Sequence, residues 1–160
     1  MNRKVLLIAS LFGIAIISFV GIYSYENYFG PKTVLQTNHD KGHCRQGNVL
    51  AGVDRQARFT VLSPCEHVVG IVHNMTGMKK EDGDYQFNLA VQKPYKKLLN
   101  DVNIKQVQGM LVVEIIPMDQ NSSWIQVPKD GDKIGAYGAW VTDNPKGWNE
   151  LHPAWNLTVF

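Results

Sequence analysis

The sequence predicts a mainly β protein, in which a small closed barrel of about five strands and one short helix follows an N-terminal transmembrane helix. Three observations predict this arrangement. The first is a run of 19 uncharged residues at positions 5–23. The second is a series of short segments after residue 57 that are rich in β-branched residues and separated by Gly, Pro, Asn and Asp. The third is a pair of glycines, Gly135 and Gly138, that would let one such strand bend.

The uncharged run is long enough to cross a membrane as a helix. At about 1.5 Å per residue it covers close to the roughly 30 Å hydrocarbon core. A cleaved signal peptide is the alternative, but aromatic residues crowd positions 23–29, as they do at a membrane interface. Arg3 and Lys4 precede the run, so the positive-inside rule places the N-terminus in the cytoplasm and residues 26–160 outside. We therefore predict an uncleaved single-span anchor over residues 1–25.

A linker that becomes ordered near Cys44 is predicted over residues 26–56, which are rich in Gly, Asn and Asp. The chain has two cysteines, Cys44 and Cys65, and an even pair in an exported protein indicates one disulfide. It would close a loop of about 20 residues and tether the linker to the domain. Two free thiols are the alternative. The N-x-S/T sequons, where glycosylation is possible, begin at Asn74, Asn121 and Asn156.

The first strands are predicted between the linker and the middle of the chain. Residues 58–63 form a short strand that Pro64 breaks, and residues 67–75 form the next one. An Asp-Gly turn then leads to residues 84–91, where apolar and polar side chains alternate as on a half-buried strand.

The second half of the domain contains the helix and the remaining strands. Pro94 begins a short helix, PYKKLLNDV, because proline is tolerated in a first helical turn and the apolar residues fall at helical spacing. Strands are predicted over residues 110–117, 131–141 and 148–160, the last interrupted by Pro153.

Residues 57–160 therefore read as one domain of five main strands joined largely by hairpins. Closing such strands into an antiparallel barrel removes exposed sheet edges, and an OB-like barrel is the architecture that we favour. A two-sheet sandwich is the alternative.

Several strings of this domain resemble a family of exported or membrane-anchored prokaryotic proteins of unknown function. They lie within about residues 58–158 and read, in order, TVLSPCEHVVGIV, DGDYQFNLAV, LLND, LVVEIIP, GAYGAWVTD and GWNELHPAW. The family has VL-x-PC, V-x-G-x-V, DGD, YxxLLN, LVVEIVP, VTGxYVxD and HGWxEIHP in the same order and spacing. The resemblance implies an OB-like barrel and no known activity. The chain departs from the family at Lys146, where a histidine is frequent, and in having no cysteine after the third strand.

Candidate site residues cluster around the C-terminal GWxE[IL]HP motif. Period-two alternation places Trp148, Glu150 and His152 on one face of the last strand. A carboxylate beside an imidazole is suited to acid–base chemistry or to metal ligation. Asp84 and Glu114 could join them if their strands are neighbours. Glu114 interrupts an apolar run, so it is either a solvent-facing residue or a partly buried acid with a raised pKa. A purely structural role, tying the last strand to a loop, is the alternative for the whole group.

Two weaker candidate sites lie elsewhere. His39, His43 and Cys44 are close together in NHDKGHC, which superficially resembles a metal site, although a disulfide at Cys44 would remove its thiolate. Trp140 and Trp148 could form a stacking platform for sugars or bases, and a role in the core is the alternative for both.

Charge and motif content limit the function. Beyond residue 25 the chain has 14 basic and 14 acidic residues, which offers no electrostatic basis for binding nucleic acid. The sequence contains no GxSxG, HExxH, Walker or CxxC motif. It does not indicate which cofactor, if any, the protein uses. We therefore expect a membrane-anchored, extracytoplasmic binding or accessory module that contacts an envelope or membrane protein and has no catalytic activity of its own.

Two alternative functions use the candidate residues directly. One is a metal-dependent hydrolase of the phosphodiester class, which would use Asp84, Glu114, Glu150 and His152. The other is an OB-like module that binds oligosaccharide or nucleic acid through Tyr85, Trp140 and Trp148.

Overall fold

The structure is a computed structural model that describes residues 42–77 and 81–160. The predicted anchor over residues 1–25 and most of the predicted linker lie outside the described residues, and so does His39. Among the helices of the described part, none has the length and apolar character that crossing a membrane requires.

Five strands form a closed barrel in the order β1-β2-β3-β5-β4, which confirms the predicted fold class. Four of the five strand pairs are antiparallel, and β3 and β5 pair in parallel. The parallel pair is possible because β4 intervenes in sequence between β3 and β5. The strands are β1 (Phe59–His73), β2 (Tyr85–Val91), β3 (Leu111–Ile115), β4 (Lys133–Asp143) and β5 (Asn149–Val159).

Pro64 and Pro153 were predicted to interrupt strands, but both lie within continuous strands. β1 continues through Pro64, where its register against β4 shifts between Ser63 and Glu66. β5 continues through Pro153, where the register against β4 also shifts. A bulge leaves one residue out of the hydrogen-bonded ladder, so a residue without an N–H is tolerated there. The predicted strands 58–63 and 67–75 are therefore one bent strand.

The single predicted helix is two helical segments separated at Asn100. A 3-10 segment covers Lys93–Leu98, and α1 covers Asp101–Gln106. The Asn100 side chain accepts hydrogen bonds from the backbone N–H groups of Val102 and Asn103, which caps α1 at its N-terminus. Two further short segments, which the sequence did not predict, are a 3-10 turn at Gln56–Arg58 and α2 at Pro117–Gln120.

Alternating apolar residues of all five strands fill the barrel interior. As predicted, Phe87, Leu89 and Val91 share one face of β2, and all three are buried in this cluster. Because side chains alternate along a strand, the intervening residues of β2, β3 and β5 point to the outside of the barrel. The fully buried members of the cluster include Val68, Val72, Phe87, Leu89, Leu111, Val113, Ile115, Ile134 and Leu151.

Residues 42–56 pack on the barrel rather than forming a free linker. Leu50 and Val53 share a second buried cluster with Ile116, Val141 and Trp155. The predicted disulfide is present between Cys44 and Cys65, with a Cα–Cα distance of 5.6 Å. The disulfide therefore ties this segment to β1.

We expect loss of the disulfide to cost about 3 kcal/mol of the free energy of unfolding, because the cross-link restricts a loop of about 20 residues in the unfolded chain. The change is the double substitution C44A/C65A, and the measurement is denaturant unfolding of the full-length chain. Dithiothreitol should lower the stability of the unsubstituted protein and leave that of the double variant unchanged. Equal stability of the two proteins under oxidising conditions would contradict the expectation.

Candidate acidic pocket on the outer face of the barrel

Three neighbouring strands bring four predicted site residues together. Asp84 immediately precedes β2, Glu114 lies in β3, and Glu150 and His152 lie in β5. Glu114 pairs with Gln86 across the β2–β3 ladder, and Glu150 pairs with Val112 across the β3–β5 ladder. The four ionisable side chains are nevertheless all buried, with relative exposures of 2–6%. Of the two alternatives for Glu114, the structure thus shows a buried acid.

His152 is at the centre of this group. Its Nδ1 lies 2.8 Å from a carboxylate oxygen of Glu114 and 3.1 Å from one of Glu150. Its Nε2 lies 3.6 Å from Oδ2 of Asp84, which is too long for a hydrogen bond. Nε2 is accordingly a buried nitrogen without a hydrogen-bond partner among the described residues. One side of the imidazole is therefore fixed by carboxylates, and the other is unsatisfied.

Glu150 is held by two donors. The indole Nε1 of Trp148 donates to its Oε2 at 2.8 Å, while its Oε1 faces Nδ1 of His152. Burial raises the pKa of Glu150, as does the charge of Glu114, and the contact with His152 opposes this rise. The predicted sharing of a face by Trp148, Glu150 and His152 is thus observed as direct contact.

The pKa of His152 reflects a competition between burial and charge. Burial alone would lower it, but hydrogen bonds to Glu114 and Glu150, together with their charges, raise the pKa to about 10. The imidazole is therefore a cation at neutral pH in the metal-free protein, and it offsets part of the negative charge of the three carboxylates.

An open cavity of about 190 Å³ reaches this group from the surface. The Phe59 ring forms part of its wall and contacts the His152 ring, with 4.8 Å between centroids. Arg58 forms a bidentate ion pair with Asp143 through Nε and Nη2. This hydrogen bonding raises the pKa of Arg58 against the effect of burial, and the charges of Glu150 and Glu114 add to the rise. The cavity lining also includes Asp54, Arg55, Asp82, Gln86, Lys146 and Trp148.

Asp84, Glu114 and His152 could hold a metal ion. One potential ligand atom from each lies within 4.8 Å of the other two. Ligands on one tetrahedral ion with bonds of about 2.1 Å are about 3.4 Å apart, close to the 3.6 Å between Nε2 and Asp84 Oδ2. Carboxylate oxygen and imidazole nitrogen are both common ligands of zinc and manganese. Glu150 does not line the cavity, so it lies behind His152 rather than among the ligands.

The remaining predicted site residues lie elsewhere. The Trp140 indole donates to the backbone oxygen of Leu98, and neither Trp140 nor Tyr85 lines the acidic cavity. Both pack against the interior cluster, whereas Trp148 packs against a different one, so the structure does not support a shared stacking platform.

His43 lies at a second, separate groove. Its ring stacks on Tyr137 with 4.7 Å between centroids, and its Nδ1 lies 3.0 Å from Nδ2 of Asn156. Cys44 is in the disulfide, so it offers no thiolate. The NHDKGHC string is therefore not a thiolate metal site.

Sequence reasoning missed three residues that shape the cavity: Arg58, Phe59 and Asp143. Arg58 ends the 3-10 turn, Phe59 begins β1 and Asp143 ends β4, so only the closed barrel brings them beside the last strand. Asp143 is the last residue of the GAYGAWVTD string, and its place in that string was the one feature of the sequence that could have drawn attention to it.

Comparison with known proteins yields no relative: no family model, no curated protein and no solved structure matches the chain.

Proposed function

We propose that this protein is a membrane-anchored, extracytoplasmic binding module whose barrel binds a divalent metal ion through Asp84, Glu114 and His152. The observation that carries the metal site is the unsatisfied Nε2 of His152, buried and directed toward Asp84 at 3.6 Å. A buried polar atom without a partner is costly, and a metal ion would satisfy Nε2 and bind the neighbouring carboxylates at once.

The contacts behind His152 support ligation through Nε2. Metal-binding histidines commonly donate their other ring N–H to a carboxylate, which fixes the ring and its tautomer. Here Nδ1 faces carboxylate oxygens of both Glu114 and Glu150, and the indole of Trp148 in turn holds Glu150. A carboxylate has two oxygens, so Glu114 would contact Nδ1 through Oε2 and ligate the metal through Oε1. The imidazole is thus already oriented for a ligand on the Nε2 side.

The ligand set favours a transition-metal ion over calcium or magnesium. Calcium and magnesium prefer sites made of oxygen ligands alone. An imidazole nitrogen with two carboxylates suits zinc or manganese. Three protein ligands would leave at least one coordination position for water or another ligand.

The anchor over residues 1–25 and the outward orientation of the domain complete the proposal. They are supported by the 19-residue uncharged run, by Arg3 and Lys4 before it, and by the disulfide, which is typical of exported proteins. The partner that this topology favours is another membrane or envelope protein.

A metal-dependent hydrolase is the second candidate. The observation that favours it is the open cavity in front of the three ligands, because a catalytic metal needs a free position for water or substrate. Turnover of a phosphodiester by the metal-loaded protein, lost in H152A, would establish it over the binding module.

We expect zinc or manganese to raise the melting temperature of the full-length chain and Asp84→Asn to weaken that metal's binding at least tenfold. The reason is that the substitution replaces a charged ligand with a neutral one, and even residues behind metal ligands contribute about 10–100-fold. A metal at 100 times its dissociation constant stabilises the folded state by about 2.7 kcal/mol, which a thermal melt resolves.

The matched control is Asp101→Asn. Asp101 is an exposed carboxylate in the first turn of α1 and should leave metal binding unchanged. If zinc, manganese, magnesium, calcium and copper all leave the melting temperature unchanged, the metal site does not exist. Equal losses in both variants would show nonspecific binding to surface carboxylates.

A further inference from the structure

We infer that the metal-bound pocket takes an oxyanion, such as a phosphate or carboxylate group, at the open side of the metal between Lys146 and Arg58. This inference rests on the proposed metal site and names the class of ligand that the site would bind.

Two basic side chains are each stacked on an aromatic ring that lines the pocket. The Lys146 ammonium lies 5.5 Å from the centre of the Trp148 ring, and the Arg58 guanidinium lies 5.1 Å from the centre of the Phe59 ring. Stacking of this kind restrains a long side chain while leaving its charge available. Trp148 is itself fixed by its hydrogen bond to Glu150.

Arg58 retains donor capacity after pairing with Asp143. That ion pair uses Nε and Nη2, which leaves Nη1 outside the bidentate contact. A guanidinium has five N–H donors, so an anion can bind Nη1 while the pair with Asp143 is kept. The pair also holds the guanidinium in place before any ligand arrives.

The charge of the pocket makes the metal a requirement for anion binding. The lining has five carboxylates and three basic side chains, which leaves a net charge of −2 with His152 neutral and −1 with the imidazolium of the metal-free protein. A divalent ion needs the neutral imidazole as its ligand, so its binding brings the sum to zero and places positive charge at the inner end of the cavity. Without the metal, Asp84 and Glu114 repel an anion. In the metal-loaded pocket, the oxyanion would contact the metal on one side and the basic side chains of Lys146 and Arg58, which line the cavity, on the other.

Metal and oxyanion should therefore bind cooperatively. Binding linkage is reciprocal, so an anion that needs the metal must raise the metal's affinity by the same factor, typically about 5–150-fold. Removing Lys146 should affect the two ligands differently. It lowers the affinity for the oxyanion, whereas the affinity for manganese without an anion stays unchanged or rises slightly, because a nearby positive charge is lost. A merely structural role for Lys146 would not separate the two effects in this way.

The test titrates the full-length chain with Mn²⁺ and measures free Mn²⁺ by electron paramagnetic resonance, with and without methylphosphonate. We expect saturating methylphosphonate to raise Mn²⁺ affinity at least fivefold, and Lys146→Gln to reduce this effect to less than twofold. Lys133→Gln is the matched control, because Lys133 is an exposed lysine that stacks on Phe160 and does not line the pocket. A parallel titration with acetate distinguishes a carboxylate ligand from a phosphoryl ligand.

The outcomes separate the two proposals. If Mn²⁺ binds in an Asp84-dependent manner and neither anion changes its affinity, the oxyanion site is wrong and the metal site stands. If Mn²⁺ does not bind with or without the anions, both are wrong. Coupling of equal size in the unsubstituted protein and K146Q would overturn the placement of the anion beside Lys146. Methylphosphonate binding in the absence of metal, detected by phosphorus NMR, would overturn the requirement for the metal.

Discussion

Replacing His152 with leucine should lower the free energy of unfolding by about 3–5 kcal/mol, measured by denaturant unfolding in the presence of EDTA. The imidazole lies within 4 Å of carboxylate oxygens from Asp84, Glu114 and Glu150, and all three acids are almost fully buried. Leucine has a comparable volume but no charge. The variant would leave three buried acids without the cation that they share, which costs far more than the packing change.

The matched control is His73→Leu. His73 lies at the exposed end of β1, so its replacement should change stability by less than about 0.5 kcal/mol. A similar small change in His152→Leu would mean that the carboxylates do not depend on the imidazole, and the charge balance described for the pocket would be wrong.

Gly138→Ala should destabilise the barrel by about 2–3 kcal/mol or prevent its folding. A Cβ at this position would lie 2.5 Å from the backbone oxygen of Pro153 and 2.8 Å from Cγ of Leu151. The backbone oxygen cannot move without disturbing β5 at the point where its register against β4 shifts. The measurement is denaturant unfolding of the full-length chain, combined with the yield of folded protein.

Gly42→Ala provides the comparison for Gly138. A Cβ at Gly42 would meet nothing within 4 Å, so this substitution should be nearly neutral. If Gly138→Ala is equally neutral, β4 and β5 do not approach each other as closely as the structure indicates.

The barrel was predictable because its signals are local. The alternation in β2 depends on neighbouring residues, and the structure confirms it. Of the two glycines in β4, Gly138 lies at a register shift against β5, whereas Gly135 lies in a regular part of the ladder. The errors at Pro64 and Pro153 have one physical cause. A proline ends a strand unless a bulge accommodates it, and a bulge depends on the partner strand, which a single sequence does not reveal. The helix start at Asn100 could have been predicted from the sequence, since Asn100 and Asn103 form a capping box.

The site was predictable only in part, for a related reason. Strand periodicity placed Glu150 and His152 on one face without knowledge of the fold. Whether Glu114 lies beside them depends on the parallel pairing of β3 and β5, which brings together strands that are not consecutive in sequence. Arg58 and Phe59 are still more distant from β5 in sequence, near the start of the barrel domain, and carry no motif. Their role follows from the closure of β1 onto β4.

The position of the disulfide determines how the domain would respond to tension. The chain enters the described domain just before Cys44, and the Cys44–Cys65 bond joins that point to β1 covalently. A force applied from the N-terminal side would pass through this bond into β1 at Cys65 and bypass the residues between the two cysteines. These residues include Asp54, Arg55 and the first residue of β1, Phe59, which line the acidic pocket. If the chain is anchored in a membrane, movement of the anchor would thus bypass the part of the pocket wall that lies between the two cysteines.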